Sequence, residues 1–471
     1  MKASFMLLPP SCTPTPTPSE RERKQYRDFL LVCGMLTCLW LSSIPWLYHV
    51  VEMSTNPPLR LEDSYAQWAD KLYFSDVAGY IRAGLGFASG HGIAVPVREH
   101  GRVDYRPYSY QGAGTPFLIG LVVLVFGAGH VLPYFLLICM LHLGTALCVV
   151  YLARTHVQAS SALLVVGLLA LFPLPVLGLE FGPGLLASEP PSFALCVLAF
   201  IPLQHFWRHG WQSRKAAMLD ALAFGTLIGL ATYVRGVFSL LGVLVCGCAL
   251  LCLGKKRPGN VLIFAALAFV TLQLVQLPWE LRNERVCGEA CMCRSLYYGR
   301  AEWQTIWKDW RQEGRWLPYG GQGLGNYLRP DLSAQILHEI AVSPCRGTFD
   351  AAWTLARAIG RQPRRAIAFR LAGYDTLWLG VPGGSSVARI FCMDSLICLL
   401  ALVYISWREM TPELWAYPLL MLCMSPLLHY EQRYVFLVYI CSTPIACAII
   451  LDRGLRGMAI PRNPRSGKGD D

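Results

Sequence analysis

The chain has 471 residues, of which 54% are apolar and only 15% are charged, and its mean hydropathy is +0.40. Soluble globular proteins carry about 25% charged residues, and disordered chains have few aromatic ones, whereas this chain has 14 Trp, 21 Tyr and 20 Phe. The composition excludes a soluble enzyme and a disordered scaffold. Because the apolar residues form long unbroken runs, it also argues against an outer-membrane barrel. The sequence predicts an all-α polytopic membrane protein.

About ten segments are long and apolar enough to cross a bilayer as helices. The predicted spans are residues 29–50, 131–152, 161–178, 185–207, 217–233, 236–253, 260–280, 389–407, 413–429 and 434–451. The predicted organisation is a disordered cytoplasmic tail (1–28), a transmembrane module (29–280) with a first outer loop (51–130), a second outer loop (281–388), C-terminal transmembrane helices (389–451) and a cytoplasmic tail (452–471).

The basic residues set the predicted orientation. With the N-terminus in the cytoplasm, most Lys and Arg of the short connections lie inside, whereas the short outer turns hold only Arg235 and Arg433. The formal charge of +11 therefore indicates orientation and contact with anionic lipid headgroups rather than with nucleic acid. The apolar stretch Pro116–Gly127 is too short to span, so we interpret it as an interfacial or re-entrant helix.

Neither outer loop has the composition of a linker. In the second loop, the spacing of Trp303, Trp307 and Trp310 predicts an amphipathic helix with one aromatic face, which lies either at the bilayer surface or against its own domain. The cysteines of this region indicate a disulfide in the first place, free thiols in the second and a metal site last. They are Cys287, Cys291, Cys293 and Cys345.

Charged residues at the edge of apolar segments are costly and are therefore candidates for function. By the predicted topology they meet at the outer face. Each one alone also fits a helix cap or a snorkelling anchor, but their convergence indicates a site that binds a phosphate headgroup and deprotonates a hydroxyl. The candidates are Asp76, Tyr80, Glu189, Arg235, Arg282, Arg433 and Tyr434.

The order of these motifs resembles the GT-C superfamily of integral-membrane glycosyltransferases, which includes protein O-mannosyltransferases and the lipid A aminoarabinose transferase. Similar landmarks are Asp76-x-x-x-Tyr80-x-x-x-Gly84, Ser188-Glu189, Tyr233-x-Arg235 and Pro278-Trp279-x-x-Arg282-Asn283. The aromatic and proline-rich stretch of the family is degenerate here, at Tyr105-Arg106-Pro107-Tyr108. Asp76 also lacks an Asp-x-Asp or Asp-Glu pair, so no cofactor is firmly implied and a divalent metal is left open.

The resemblance implies an inverting glycosyltransferase that uses a polyprenyl-phosphate-linked sugar as donor. The acceptor would be a glycolipid, polysaccharide or protein on the extracytoplasmic side, and a bacterial inner membrane is favoured over the endoplasmic reticulum. Asp76 is the expected base, with Asp63 and Asp70 as alternatives, and Tyr80 would position it. Arg235, Arg282 and Arg433 would bind the donor phosphate, and Glu189 would orient an arginine or the acceptor. Tyr434 is a further candidate for substrate binding.

A secondary transporter or lipid flippase is the competing function, and an inactive relative that only binds a lipid or a partner is a third. Transporters usually have repeated halves and broken helices near the membrane midplane. The sequence contains no internal repeat, and its charged residues gather at one face. These features favour the enzyme.

The predicted orientation has a direct test. A reporter inserted between Lys255 and Gly259 is expected to score as cytoplasmic, because this segment carries three consecutive basic residues. An external signal in a fusion-reporter or cysteine-labelling assay would contradict the orientation and would separate Glu189 from the outer face.

Overall fold

The structure is a computed structural model, and it describes only part of the chain. The described residues are 18–53, 59–72, 76–99, 102–108, 112–173, 188–254, 257–287, 411–424 and 437–459. The predicted span 389–407, the tryptophan helix, Arg433, Tyr434 and the cysteines 291, 293 and 345 lie outside them, as does the side chain of Cys287.

Helices dominate the described residues, as the composition predicts. The helices are α1 (Pro18–Met53), α2 (Tyr65–Lys71), α3 (Asp76–Ala88), α4 (Gly114–Phe126), α5 (Leu132–Ala153), α6 (Ser160–Leu171), α7 (Glu189–Arg208), α8 (Arg214–Val234), α9 (Phe238–Leu253), α10 (Pro258–Cys287), α11 (Pro412–Met424) and α12 (Thr443–Ala459). A 3₁₀ turn at Gly210–Gln212 precedes α8, and a π-helical turn at Val438–Ser442 precedes α12.

Four of the described helices are long and apolar enough to cross a membrane. They contain the segments Glu22–Glu52, Leu132–Ala153, Arg214–Val234 and Pro258–Val286. The predicted spans 161–178 and 236–253 correspond to the shorter apolar helices α6 and α9. The chain is therefore a helical membrane protein, while the total of about ten spans stays a prediction.

The described residues of the predicted first outer loop (51–130) form helices and a β-hairpin that the all-α prediction missed. Strands β1 (Ala94–Glu99) and β2 (Arg102–Pro107) pair in antiparallel register from Ala94↔Pro107 to Glu99↔Arg102. Valine and tyrosine at alternating positions favour this extended pairing. The hydropathy pattern missed it because both strands are short and β2 is mostly exposed.

Glycines let α3 and α4 cross closely beside the hairpin. A Cβ atom at Gly84 would come within 2.9 Å of the Pro116 carbonyl oxygen, and one at Gly120 within 2.9 Å of the Gly84 carbonyl oxygen. The stretch 116–127 that we interpret as interfacial or re-entrant is thus α4, a helix too short to span, packed on α3. Its far end exposes apolar side chains, including Val125 and Phe126.

A continuous apolar core joins the described helices of the bundle. The rings of Phe206 and Phe264 stack with centroids 3.8 Å apart between α7 and α10. The indole Nε1 of Trp40 donates to the Cys139 carbonyl at 2.9 Å and attaches α1 to α5. This core holds α5, α7 and α8 side by side, so the ends of these helices stay fixed relative to one another.

A buried polar cluster lies at the end of the bundle where α7 finishes, which we call the inner end. We name it the inner cluster, and it consists of His156, Gln204, Arg208 and Glu413. Glu413 Oε1 lies 2.5 Å from His156 Nε2 and accepts a hydrogen bond from Gln204 Nε2 at 2.6 Å. The Glu413 side chain is fully buried, and that of His156 is 2% exposed. The cluster therefore ties α11 to α7 and to the turn after α5.

Replacement of Glu413 by Leu is expected to destabilise the protein by about 1–3 kcal/mol, because His156 and Gln204 lose their buried hydrogen-bond partner. The measurement is thermal or denaturant unfolding of the protein in detergent micelles. Glu284 on α10 is exposed, so Glu284→Leu serves as the matched control and should change stability by less than about 0.5 kcal/mol. Equal effects of the two substitutions would contradict the assigned role of the inner cluster.

Candidate functional site

The candidate site lies at the opposite end of the bundle, where α7 begins and α8 finishes, and we call this end the outer end after the predicted orientation. Its central contact is an ion pair in which Arg235 Nη1 donates to Glu189 Oε1 at 2.5 Å. The side chains are 17% and 1% exposed, respectively. The pair is therefore removed from bulk water. In this environment of low dielectric constant the attraction between the two charges is strong, and each charge needs the other to offset its lost hydration.

Local sequence determines where Glu189 stands. Ser188 precedes α7, Pro190 and Pro191 occupy its first turn, and Glu189 is the first helical residue. Proline suits the first turn because its missing N–H has no helical partner there. A carboxylate at this position is also stabilised by the positive end of the helix dipole. The Ser188 hydroxyl adds a weak contact to Glu189 Oε2 at 3.5 Å.

Arg235 comes immediately after α8, where the backbone turns from helical to extended. Its amide still donates to the Ala231 carbonyl at 2.9 Å, and its own carbonyl accepts from the Phe238 amide at 3.2 Å. This tight connection between α8 and α9 fixes the start of the arginine side chain. The guanidinium therefore reaches Glu189 from a rigid base.

Tyr80 on α3 lies inside the same group of side chains. It is 3% exposed, and burial raises the pKa of its phenol well above the ordinary value, with Asp76, Tyr108 and Glu189 raising it further and Arg235 opposing them. The phenol is thus uncharged at neutral pH and acts as a hydrogen-bonding group. The same interactions place Asp76, Glu189 and Arg235 within electrostatic range of the phenol.

Asp76 begins α3 one helical turn before Tyr80 and is partly exposed. It therefore combines access to water with proximity to a buried polar group. Of the sequence-predicted site residues, Glu189 and Arg235 are in direct contact, and Asp76, Glu189 and Arg235 interact electrostatically with Tyr80. Asp76 and Tyr80 come from α3, Glu189 from the start of α7, and Arg235 from the end of α8.

The two alternative carboxylates are situated differently. Asp63 Oδ2 lies 3.1 Å from Lys71 Nζ and accepts from the Arg60 amide at 3.2 Å. Burial alone would raise the pKa of Asp63, but these hydrogen bonds outweigh it and hold the pKa below its ordinary value. The Asp70 side chain is 83% exposed and lies 3.8 Å from Arg82. Both make local ion pairs within the first outer loop.

Arg282 on α10 fastens the β-hairpin to the bundle. Its Nη2 donates to the Ile93 carbonyl at 2.8 Å and its Nη1 to the Tyr108 carbonyl at 3.0 Å, so it holds both ends of the hairpin. The guanidinium also lies over the Trp279 ring, 4.5 Å from its centroid. This geometry supports a positioning role for Arg282, whereas its predicted contact with a phosphate stays a prediction.

Tyr108 is a neighbour of the site that the sequence did not single out as a site residue. Its hydroxyl would be 3.2 Å from a Cβ atom at Gly79, so the ring lies against α3 one residue before Tyr80. The sequence signal that could have indicated Tyr108 is the stretch Tyr105-Arg106-Pro107-Tyr108, which is a degenerate form of the aromatic and proline-rich stretch of the GT-C superfamily. Arg433 and Tyr434 lie outside the described residues and stay predictions.

The arrangement has the components of an acid–base site next to a cation that is able to bind a phosphate. Asp76 is a proton acceptor with access to water, Tyr80 is an uncharged donor, and Arg235 is a fixed cation. Among the residues that the structure describes, no group of three or more His, Cys, Asp or Glu side chains is arranged to hold a metal ion.

Comparisons with known proteins identify no family. No family model matches the chain, and no curated protein matches it. Among solved structures, it is similar to the crystal structure of ArnT from Cupriavidus metallidurans bound to undecaprenyl phosphate. The alignment covers 90% of this chain and 78% of that chain, with 14% identity and a TM-score of 0.37. At this similarity, function has to be argued from the residues of the chain itself.

The buried Glu189–Arg235 pair is expected to contribute to the stability of the folded protein. Arg235→Met is expected to destabilise the protein by about 3–5 kcal/mol, because it leaves the Glu189 carboxylate buried without its cation. The double variant Glu189→Met, Arg235→Met should recover most of that loss. The unfolding midpoint in detergent measures both, and additive effects of the two single substitutions would show that the residues are not coupled.

Proposed function

We propose that the chain is an inverting membrane glycosyltransferase. It would move a sugar from a polyprenyl-phosphate carrier to a glycolipid, polysaccharide or protein acceptor on the extracytoplasmic face, in a bacterial inner membrane. The observation that carries the proposal is the convergence of Asp76, Tyr80, Glu189 and Arg235 at one end of a helical membrane bundle. The order of motifs that resembles the GT-C superfamily supports the same function.

The proposed step is a single displacement at the anomeric carbon. The acceptor oxygen forms a bond to this carbon while the bond from the carbon to the carrier phosphate breaks, and its electron pair leaves with the phosphate. The acceptor proton passes to the Asp76 carboxylate, which is the general base. Inversion follows because the nucleophile and the leaving group occupy opposite faces of the sugar.

Charge develops on the departing phosphate, and a fixed cation lowers the energy of that state. Arg235 is the described candidate, because a guanidinium stays protonated and its planar donors match phosphate oxygens. Glu189 would hold Arg235 in position through the buried ion pair. Arg433 and Tyr434 are proposed to complete the phosphate site, with Arg282 supporting it through the hairpin.

The uncharged phenol of Tyr80 suits a positioning role beside the base. Since it lies one turn after Asp76 on the same helix, it can orient the carboxylate or the acceptor hydroxyl without competing for the proton. The membrane-embedded bundle would let the lipid tail of the donor reach the site from the bilayer. Water would compete with the acceptor for the sugar, and the first outer loop would exclude it from the site.

The function is tested by incubating purified protein in lipid nanodiscs with undecaprenyl phosphate carrying labelled glucose or mannose, tested separately. Substrate-dependent release of undecaprenyl phosphate would support the enzyme. Counter-flow of the intact lipid without cleavage would favour a transporter or flippase instead.

Asp76→Asn is expected to lower the transfer rate by roughly 10²–10⁴-fold, because the amide cannot accept the acceptor proton. Binding of undecaprenyl phosphate and insertion into the membrane should be unchanged. Asp104 on β2 is exposed, so Asp104→Asn is the matched control and should retain activity. Full activity of Asp76→Asn, with loss in Asp63→Asn or Asp70→Asn, would transfer the base role to another carboxylate.

A further inference from the structure

Two buried tyrosine hydroxyls near the candidate site have no hydrogen-bond partner among the residues that the structure describes. They belong to Tyr65 and Tyr134, whose side chains are 0% and 1% exposed. Most buried polar atoms in folded proteins are paired, because water no longer satisfies them. A phenylalanine would fill the same space without this cost. Packing of the apolar core therefore does not explain why these positions carry hydroxyl groups.

The fold places both tyrosines at the outer end. The segment before α2 docks on the start of α5, where the Tyr65 amide donates to the Ala128 carbonyl at 3.2 Å and the Val131 amide to the Leu61 carbonyl at 3.0 Å. Tyr134 lies in the first turn of α5. The two rings therefore belong to one junction between the first outer loop and the membrane bundle.

This junction adjoins the buried ion pair. Helix α5 packs against α7, and both helices begin at the outer end, Tyr134 being in the first turn of one and Glu189 the first residue of the other. Tyr134 also interacts electrostatically with Tyr65 and with Glu189. Burial raises the pKa of the Tyr65 phenol, so this hydroxyl keeps its proton and is able to donate it in a hydrogen bond.

We propose that Tyr65 and Tyr134, together with Glu189, form the subsite for the hydroxyl groups of the donor sugar. The proposal rests on the proposed function and names a recognition element within it. A phenol both donates and accepts hydrogen bonds, and a carboxylate accepts them, which matches the alternating donors and acceptors of a sugar ring. The same carboxylate repels a phosphate, so the phosphate belongs on the Arg235 side of the ion pair.

The test compares three lipids on the nanodisc-held protein: undecaprenyl phosphate, the same lipid carrying glucose, and the same lipid carrying mannose. The unaltered protein is expected to bind at least one of the sugar-bearing lipids more tightly. Tyr65→Phe and Tyr134→Phe should each weaken the binding of that lipid roughly three- to tenfold, the loss of one hydrogen bond. Affinity for undecaprenyl phosphate should not change.

Thermal unfolding without lipid separates binding from folding. Because each substitution removes an unpartnered hydroxyl and keeps the ring, the melting temperature should stay the same or rise. Tyr151 lies on the same helix as Tyr134, and its side chain is 42% exposed. Tyr151→Phe is therefore the matched control and should leave both affinities unchanged.

Three outcomes would overturn the subsite. They are equal affinity of the unaltered protein for all three lipids, an equal loss of affinity for the bare and sugar-bearing lipids in the Phe variants, and no loss for either lipid. Failure of the proposed function looks different, since the unaltered protein would then bind none of the lipids or would release no undecaprenyl phosphate.

Discussion

The buried ion pair between Glu189 and Arg235 is the interaction on which the outer end depends. A carboxylate that is 1% exposed is stable in its charged form only when a cation and hydrogen-bond donors replace the lost water. Arg235 supplies that charge from the connection between α8 and α9. The pair therefore couples the arrangement of three helices to the electrostatics of the candidate site, and it keeps a cation in a region of low dielectric constant.

Close packing at glycines brings the first outer loop to this pair. A Cβ atom at Gly112 would be only 2.0 Å from the Tyr233 carbonyl oxygen, and one at Gly114 would be 2.6 Å from Val234 Cγ2. The start of α4 thus lies directly on the end of α8, two residues before Arg235. Any larger residue at Gly112 would push the loop away from the bundle. Since Asp76 and Tyr80 belong to this loop, such a shift would also move the proposed base away from the proposed cation.

Helix α7 links the two polar regions of the bundle. Its first residue is Glu189 at the outer end, and its last two turns hold Gln204 and Arg208 of the inner cluster. A helix of this length extends about 30 Å, roughly the thickness of the hydrocarbon layer. Both ends of α7 are anchored by buried polar contacts, which oppose sliding of the helix along its axis. The resulting rigidity suits a site whose groups come from separate helices.

The sequence by itself determined the helical membrane class, the order of the apolar segments and the small set of charged residues at their edges, because hydropathy and helix-end signals are local properties. It predicted Asp76, Tyr80, Glu189 and Arg235 as candidates, and it left open whether Glu189 orients an arginine or the acceptor. Only the tertiary structure decided that Arg235 meets a residue 46 positions away, that Arg282 holds the unpredicted hairpin, and that Tyr65 and Tyr134 are buried where the first outer loop meets α5. Such contacts depend on which helices pack together and in what register, and no local pattern in the chain encodes that arrangement.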